Sequence, residues 1–211
     1  MIYSSHENKI NGKKVLIVGG GPSSTEIDWQ KNYDYVFSTN NFYKKFNNIS
    51  PYLITFTPSV DLLDPRVIQF LNSNECIIAL EPEFLKAHEV QMLKKFFPLF
   101  KNRIINYQPR YSSAIGVSTR QAVLAVLLGA SEVHMCGLDL FQDKESVKHA
   151  FEEEKGLPRW RLNFGAEFQN RQVIAFWDYL KNIANQRNCE IVNLAENLSY
   201  NCMGFITKES K

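Results

Sequence analysis

Lys14-Val15-Leu16-Ile17-Val18-Gly19-Gly20-Gly21-Pro22-Ser23-Ser24-Thr25-Glu26 is an apolar, β-branched run that breaks into three glycines and then a helix-start signature. Glycines let a backbone turn sharply and approach a ligand closely, and a helix that follows aims unpaired N–H groups and its positive dipole end at the same spot. The stretch therefore predicts a strand, a phosphate cradle and a helix. Ser23 and Glu26 have the spacing of a capping box, and Pro22 removes a donor just before it. An ordinary tight strand-to-helix turn would use the same residues. Gly19 and Gly21 match the first two glycines of the dinucleotide fingerprint G-x-G-x-x-G, but Ser24 takes the third place. The next apolar run ends in Ser38-Thr39-Asn40-Asn41, two amides where an NAD site carries a carboxylate. NAD is disfavoured.

Outward from that run, short apolar segments suited to buried parallel strands recur at Asp34–Phe37, Tyr52–Phe56, Cys76–Leu80, Arg103–Asn106, Glu132–Cys136 and Glu190–Leu194. Helical patterns lie between them. Asp64-Pro65 is a cap followed by proline at the first helical position, opening a segment to about Leu71. Glu83 to Phe97 has helical spacing, and Ser118 with Gln121 gives a second capping-box spacing before an apolar run closed by Gly129. Val173, Phe176, Trp177, Leu180, Ile183 and Ala184 form one face of a helix from about Phe168 to Arg187, a stripe suited to core packing. Strands alternating with helices predict an α/β fold: one doubly wound, mostly parallel, Rossmann-like sheet with helices on both faces. That domain spans 13–200, after a flexible leader at 1–12 and before a tail at 201–211. The charged segment from Gln142 to Glu167 reads as a lid-like loop.

Ligands of such sheets bind outside the carboxyl ends of the strands. The candidate residues are therefore Gly19–Ser23, Asn40 and Asn41, Thr57-Pro58-Ser59, and Gly137-Leu138-Asp139.

With 211 residues and 45% hydrophobic content the chain can bury a sizeable core, and a net charge of +2 argues against a nucleic-acid partner. Cys76, Cys136, Cys189 and Cys202 are far apart and lack metal-ligand spacing, which predicts buried free thiols in a reducing compartment. No signal peptide pattern opens the chain and no run of 18 apolar residues occurs. A cytoplasmic location is expected, with attachment to the inner face of a membrane and homo-oligomer formation both compatible with the composition. His134 lies in a predicted strand and is expected to be packed; His6 and His88 read as surface residues.

In order along the chain, Val-Gly-Gly-Gly-Pro-Ser at 18–23, Asn-Asn-Phe-Tyr at 40–43, Thr-Pro-Ser at 57–59, Leu-Leu-Gly at 127–129, Glu-Val-His-Met-Cys-Gly-Leu-Asp-Leu-Phe-Gln at 132–142 and His-Ala-Phe-Glu at 149–152 resemble the bacterial sialyltransferases of glycosyltransferase family 42. The resemblance covers about residues 13 to 195 and implies a variant GT-A nucleotide-sugar fold. It places the cytidine and phosphate of a CMP-sugar against Gly20, Gly21, Ser23, Asn40, Asn41, Thr57, Ser59, Gly116, Ser118, Gly137 and Asp139. Amides and backbone groups can answer the mixed donors and acceptors of cytosine and ribose. Asn40 and Asn41 also suit the lesser role of tying a turn, and Asp139 could equally cap its loop.

The chain departs from that family at several points. Gly20 and Thr57 stand where the family has asparagines, and Phe141 and His149 stand where it has two tyrosines that hydrogen-bond the departing phosphate. Phe141 cannot donate; His149 can, and protonated it also neutralises charge, with Arg159 or Arg161 near in sequence. The family's catalytic histidine falls in Gly165-Ala166-Glu167-Phe168, where Glu167 is the only titratable group. Glu167 is also a carboxylate suited to a helix start.

The resemblance implies a glycosyltransferase that moves an acidic, sialic-acid-type sugar from CMP to a glycan hydroxyl, inverting and needing neither metal nor other cofactor. A more distant likeness to hydroxymethylpterin pyrophosphokinases would instead require magnesium, with Asp139 and Glu152 as ligands. A third reading is an inactive nucleotide-sugar-binding accessory protein in surface-glycan assembly.

Overall fold

A computed structural model describes residues 8–25, 32–85, 90–108, 116–138, 150–151 and 159–194. In chain order, β1 (Lys14–Val18), β2 (Tyr35–Thr39), α1 (Phe42–Lys45), β3 (Leu53–Thr55), α2 (Pro65–Ser73), β4 (Ile77–Leu80), α3 (Pro82–Leu85), α4 (Val90–Phe100) and β5 (Ile104–Asn106) come first. Then follow α5 (Val117–Leu127), β6 (Glu132–Cys136), α6 (Arg159–Gln186) and β7 (Glu190–Asn193).

The seven strands form one sheet in the order β5-β4-β3-β2-β1-β6-β7, and every neighbouring pair is parallel. The chain thus starts at β1, builds outward to β5, and returns through α5 to place β6 on the other side of β1. The fold is the expected doubly wound α/β sheet, and its strand order reverses beside β1.

Val15, Leu16, Ile17 and Val18 are all buried, which is why β1 reads as a continuous apolar run and not as an alternation. Val15 and Ile17 face a core shared with Val123 and Val126 of α5 and with Phe176, Trp177 and Leu180 of α6. Leu16 and Val18 face a second core with Phe42 of α1, Phe70 and Leu71 of α2, and Phe96 of α4. Helices therefore cover both faces, and the aromatic stripe of α6 is core packing. Asp64 caps α2 as its sequence suggests, accepting from the Arg66 amide at 2.8 Å, with Pro65 in the first turn.

Several expectations need correction. Residues 8–12, assigned to a flexible leader, are tied down: Ile10 is only 1% exposed, its amide donates to Leu128 O, and the Gly12 amide donates to Gly129 O. An isoleucine inside a polar stretch finds a slot beside the end of α5. Helix α6 begins at Arg159, not near Phe168, so 159–167 of the expected lid is helical backbone. The expected cap at Ser118 is displaced as well: Gly116 is the N-cap of α5 and offers no side-chain bond. Gln121 is buried and bonds to the sheet instead. Cys76, Cys136 and Cys189 are buried free thiols as expected, and burial pushes Cys76 up to about 11 and Cys189 up to about 12. Cys202, His6, His88 and the tail at 201–211 lie outside the described residues.

Candidate functional site

The carboxyl ends of β1 and β6 are bound to each other. The Gly19 amide donates to Cys136 O at 2.8 Å and the Gly21 amide to Gly137 O at 2.9 Å. The Gly137 amide in turn donates to Ser23 Oγ at 2.8 Å, and Gly137 has φ +68°. Pro22–Thr25 forms a 3₁₀ turn, with Ser24 Oγ donating to Gly21 O at 2.9 Å. The glycines thus serve first to let two loops touch, and the cradle read from the sequence is smaller than it looked. The Gly21 amide and the fully buried Ser23 hydroxyl are taken up inside the protein. Ser23 sits within the turn and is not a helix cap, and Glu26 lies outside the described residues.

Gly20 is different. Its amide has no partner among the described residues, while its carbonyl accepts from the Ala150 amide at 2.7 Å. Phe151 stands edge-on to Phe42 at 5.9 Å and to Phe46 at 6.0 Å, so residues 150–151 are pinned between the glycine loop and α1. His149, Asp139, Phe141 and Glu152 lie outside the described residues. Glu167, Arg159 and Arg161 belong to the backbone of α6, and their side chains lie outside what is described.

Asn40 and Asn41 follow β2 and behave oppositely. Asn40 adopts a left-handed φ of +47°; its amide donates to Thr55 O and its Oδ1 accepts from the Thr57 amide, both at 2.8 Å. It ties the β2 and β3 loops together, as asparagine does well. Thr57 and Ser59 share a hydroxyl bond of 2.8 Å in that second loop. Asn41 is 4% exposed, yet its carboxamide has no partner among the described residues.

Helix α5 begins at the same edge. Gly116 leaves Val117, Ser118 and Thr119 with amides that no described group accepts from, the orphan donors of an uncapped helix start. Ser118 is nearly buried without a bonding partner, and its Oγ lies 3.0 Å from where a Cβ on Gly19 would stand. Among the predicted residues the structure therefore gathers Gly20, Asn41, Gly116 and Ser118 as unpaired donors along one edge, while Gly21, Ser23, Gly137 and Asn40 build the scaffold.

A buried polar network beneath this edge was not anticipated. Glu81 follows β4 and is 1% exposed; it forms an ion pair with Arg120 of α5, 3% exposed, whose Nε donates at 2.6 Å. Tyr107 follows β5 and donates to Glu81 at 2.9 Å; burial holds its phenol well above the usual range. Gln121 Nε2 donates to Ser38 O at 2.6 Å and to Thr55 Oγ1 at 2.9 Å. The signal was present in the sequence: Arg120 interrupts an apolar helix and Glu81 follows an apolar strand directly, and buried charges come in pairs.

His134 is buried away from this edge. Its Nδ1 lies 3.1 Å from the Tyr33 hydroxyl and its Nε2 3.3 Å from Glu132, which Lys14 also reaches at 2.9 Å. Among the described residues, no group of three or more His, Cys, Asp or Glu is placed to hold a metal ion, and no helix is long and apolar enough to cross a membrane.

No family model matches the chain, and no curated protein matches it in sequence. Solved structures do match in fold. The monofunctional alpha-2,3-sialyltransferase Cst-I from Campylobacter jejuni superposes with a TM-score of 0.61 at 18% identity, over 100% of this chain and 86% of that one. The sialyltransferase CST-II in complex with trisaccharide acceptor and CMP gives 0.60 at 18% identity, over 94% and 89%. CstII from Campylobacter jejuni in complex with the substrate analogue CMP-3FNeuAc gives 0.59 at 17% identity, over 93% and 88%. The chain shares the fold of these sialyltransferases.

Proposed function

We propose that this chain is a sialyltransferase-like glycosyltransferase that takes an acidic sugar from a CMP-activated donor and transfers it to a glycan hydroxyl, without a metal ion. Three neighbours in fold are sialyltransferases, two of them solved with CMP or a CMP-sugar analogue. The observation that carries the reading is the division of labour at the glycine loop. With the Gly19 and Gly21 amides engaged by Cys136 and Gly137, the loop offers Gly20 alone. The Gly20 amide and the uncapped start of α5 are backbone donors that can meet the single phosphate of CMP. Asn41 supplies a carboxamide, both donor and acceptor, for cytosine or ribose.

In this reading the acceptor hydroxyl attacks the anomeric carbon as the bond to CMP breaks, which inverts that carbon. Glu167 takes the hydroxyl proton and His149 donates to the departing phosphate, aided by Arg159 or Arg161. The Ala150 amide bonded to Gly20 O anchors the residue that follows His149 beside the phosphate-binding loop. The setting is glycan assembly on the cytoplasmic side of a bacterial membrane.

Thermal unfolding with CMP, a CMP-sugar, ATP, GTP and NAD, each with and without magnesium, tests the reading. A ligand at 100 times its Kd adds about 2.7 kcal/mol. Stabilisation by CMP without magnesium is expected, followed by release of CMP when a glycan acceptor is added to the CMP-sugar. Stabilisation by magnesium and ATP alone would replace this reading with phosphoryl transfer, and CMP binding without turnover would make the chain an accessory protein.

A further inference from the structure

Glu81 and Arg120 make the most heavily buried ion pair among the described residues, and it lies beneath the edge that carries the unpaired donors. A buried ion pair is a poor source of stability, because desolvating two charges consumes most of their attraction. The position of Arg120 adds to the puzzle: a cation in the first turns of a helix opposes the helix dipole. Geometry supplies an explanation. The N-cap of α5 is Gly116, which has no side chain to bond the first amides of the helix.

The network supplies what the cap does not. Arg120 is one residue beyond Thr119 and grips Glu81 at the end of β4, and Glu81 also accepts from Tyr107 at the end of β5. The adjacent Gln121 binds Thr55 at the end of β3 and the Ser38 carbonyl of β2. Four strand ends are thereby bonded to one helical turn.

We propose that Glu81 and Arg120 are positioning residues that set the height and rotation of the first turn of α5, and so hold the Gly116–Thr119 donors in register with the Gly20 amide. The inference rests on the reading of that turn as the phosphate contact. Both side chains are too buried to touch the ligand themselves.

The test uses the double variant Glu81→Gln/Arg120→Met, which removes both charges together and so leaves neither uncompensated, with Glu81→Gln alone as a second variant. Leu180→Ala, a core change on α6, serves as the control for lost stability alone. CMP affinity is measured by calorimetry well below each unfolding temperature, and the amide NMR signals of Gly116, Val117, Ser118 and Thr119 are followed without ligand. The double variant is expected to stay folded, shift and broaden those four signals, and bind CMP about tenfold more weakly, the size of coupling found within one hydrogen-bonded network. Leu180→Ala should leave both unchanged. Wild-type signals and wild-type affinity in the double variant would overturn the proposal. If the wild-type protein binds no CMP, the ligand reading fails, and the four amide signals alone decide whether the pair positions the turn.

Discussion

Gly19 and Gly137 stand so close across the β1–β6 junction that neither can carry a side chain. A Cβ on Gly19 would lie 2.6 Å from the Gly137 carbonyl oxygen, and a Cβ on Gly137 would overlap the Gly19 carbonyl. Gly137 also has φ +68°, a region costly to L-residues with a Cβ. Each alanine substitution overpacks the junction, so Gly19→Ala should lose about 1–3 kcal/mol. Gly137→Ala adds backbone strain of about 1–2 kcal/mol and should be the worse of the two. Urea unfolding of both variants checks the order; equal stabilities would show that the loops can separate without penalty.

The same junction predicts the behaviour of Ser23. Its hydroxyl is fully buried and accepts from the Gly137 amide at 2.8 Å. Ser23→Ala strands a buried donor and should cost about 1–3 kcal/mol in chemical denaturation. Loss of nucleotide binding with unchanged stability would instead make Ser23 a ligand contact.

The Glu81–Arg120 pair predicts an asymmetry in stability. Arg120→Met leaves a carboxylate buried without its counter-charge and should cost about 3–5 kcal/mol, whereas the double variant with Glu81→Gln should regain most of that loss. Comparing the two unfolding midpoints reads the difference directly.

Much of the scaffold was legible because parallel strands buried on both faces write themselves as apolar runs: all seven strands fall within a residue or two of their expected places. The edge of the sheet was less legible, because the same glycine serves a ligand or a tight backbone contact equally well. Nothing local told Gly20, with its unpaired amide, from Gly21, whose amide goes to Gly137. Long-range pairing hid in the same way. Gln121 had capping-box spacing from Ser118, yet its partner is Thr55, set by the tertiary fold. Ile10 carried the opposite lesson, since one apolar residue in a polar stretch was enough to fasten the segment. Ile10→Ala should therefore lose about 2–5 kcal/mol, as in an ordinary core position, and a change near zero would return residues 8–12 to the status of a loose leader.

At Asp64 the structure predicts a pH dependence. The side-chain bond from Arg66, with the Arg66 amide adding to it, holds the Asp64 carboxyl below its ordinary value. A depressed folded-state pKa gives stability that is present above the unfolded value, about 3.9, and is lost as pH falls through the folded value. Because Asp64 is only partly covered and its partner Arg66 is exposed, the contribution is small and screened by salt. Asp64→Asn keeps a cap acceptor and should flatten the acid limb of a stability–pH curve, while Asp64→Ala should also lose about 1 kcal/mol at neutral pH.

Asn40 and Asn41 offer the sharpest separation of scaffold from site. Asn40 spends its Oδ1 on the Thr57 amide and holds φ +47°, so alanine there removes a bond and strains the backbone. Asn40→Ala should cost about 1–2 kcal/mol, and any weakening of nucleotide binding should follow from the displaced loop. Asn41 has no such duty: its side chain makes no hydrogen bond to a described residue, so the free protein gains little from it. Asn41→Ala should leave the unfolding temperature unchanged or raise it while abolishing the stabilisation by CMP. Asn41→Asp should lose the stabilisation by CMP as well, because it removes the amide donor and adds a negative charge beside an anionic nucleotide. Thermal unfolding of the three variants, with and without CMP, separates these outcomes. If Asn41→Ala unfolds earlier and still responds fully to CMP, Asn41 supports the loop and the base or ribose is held elsewhere.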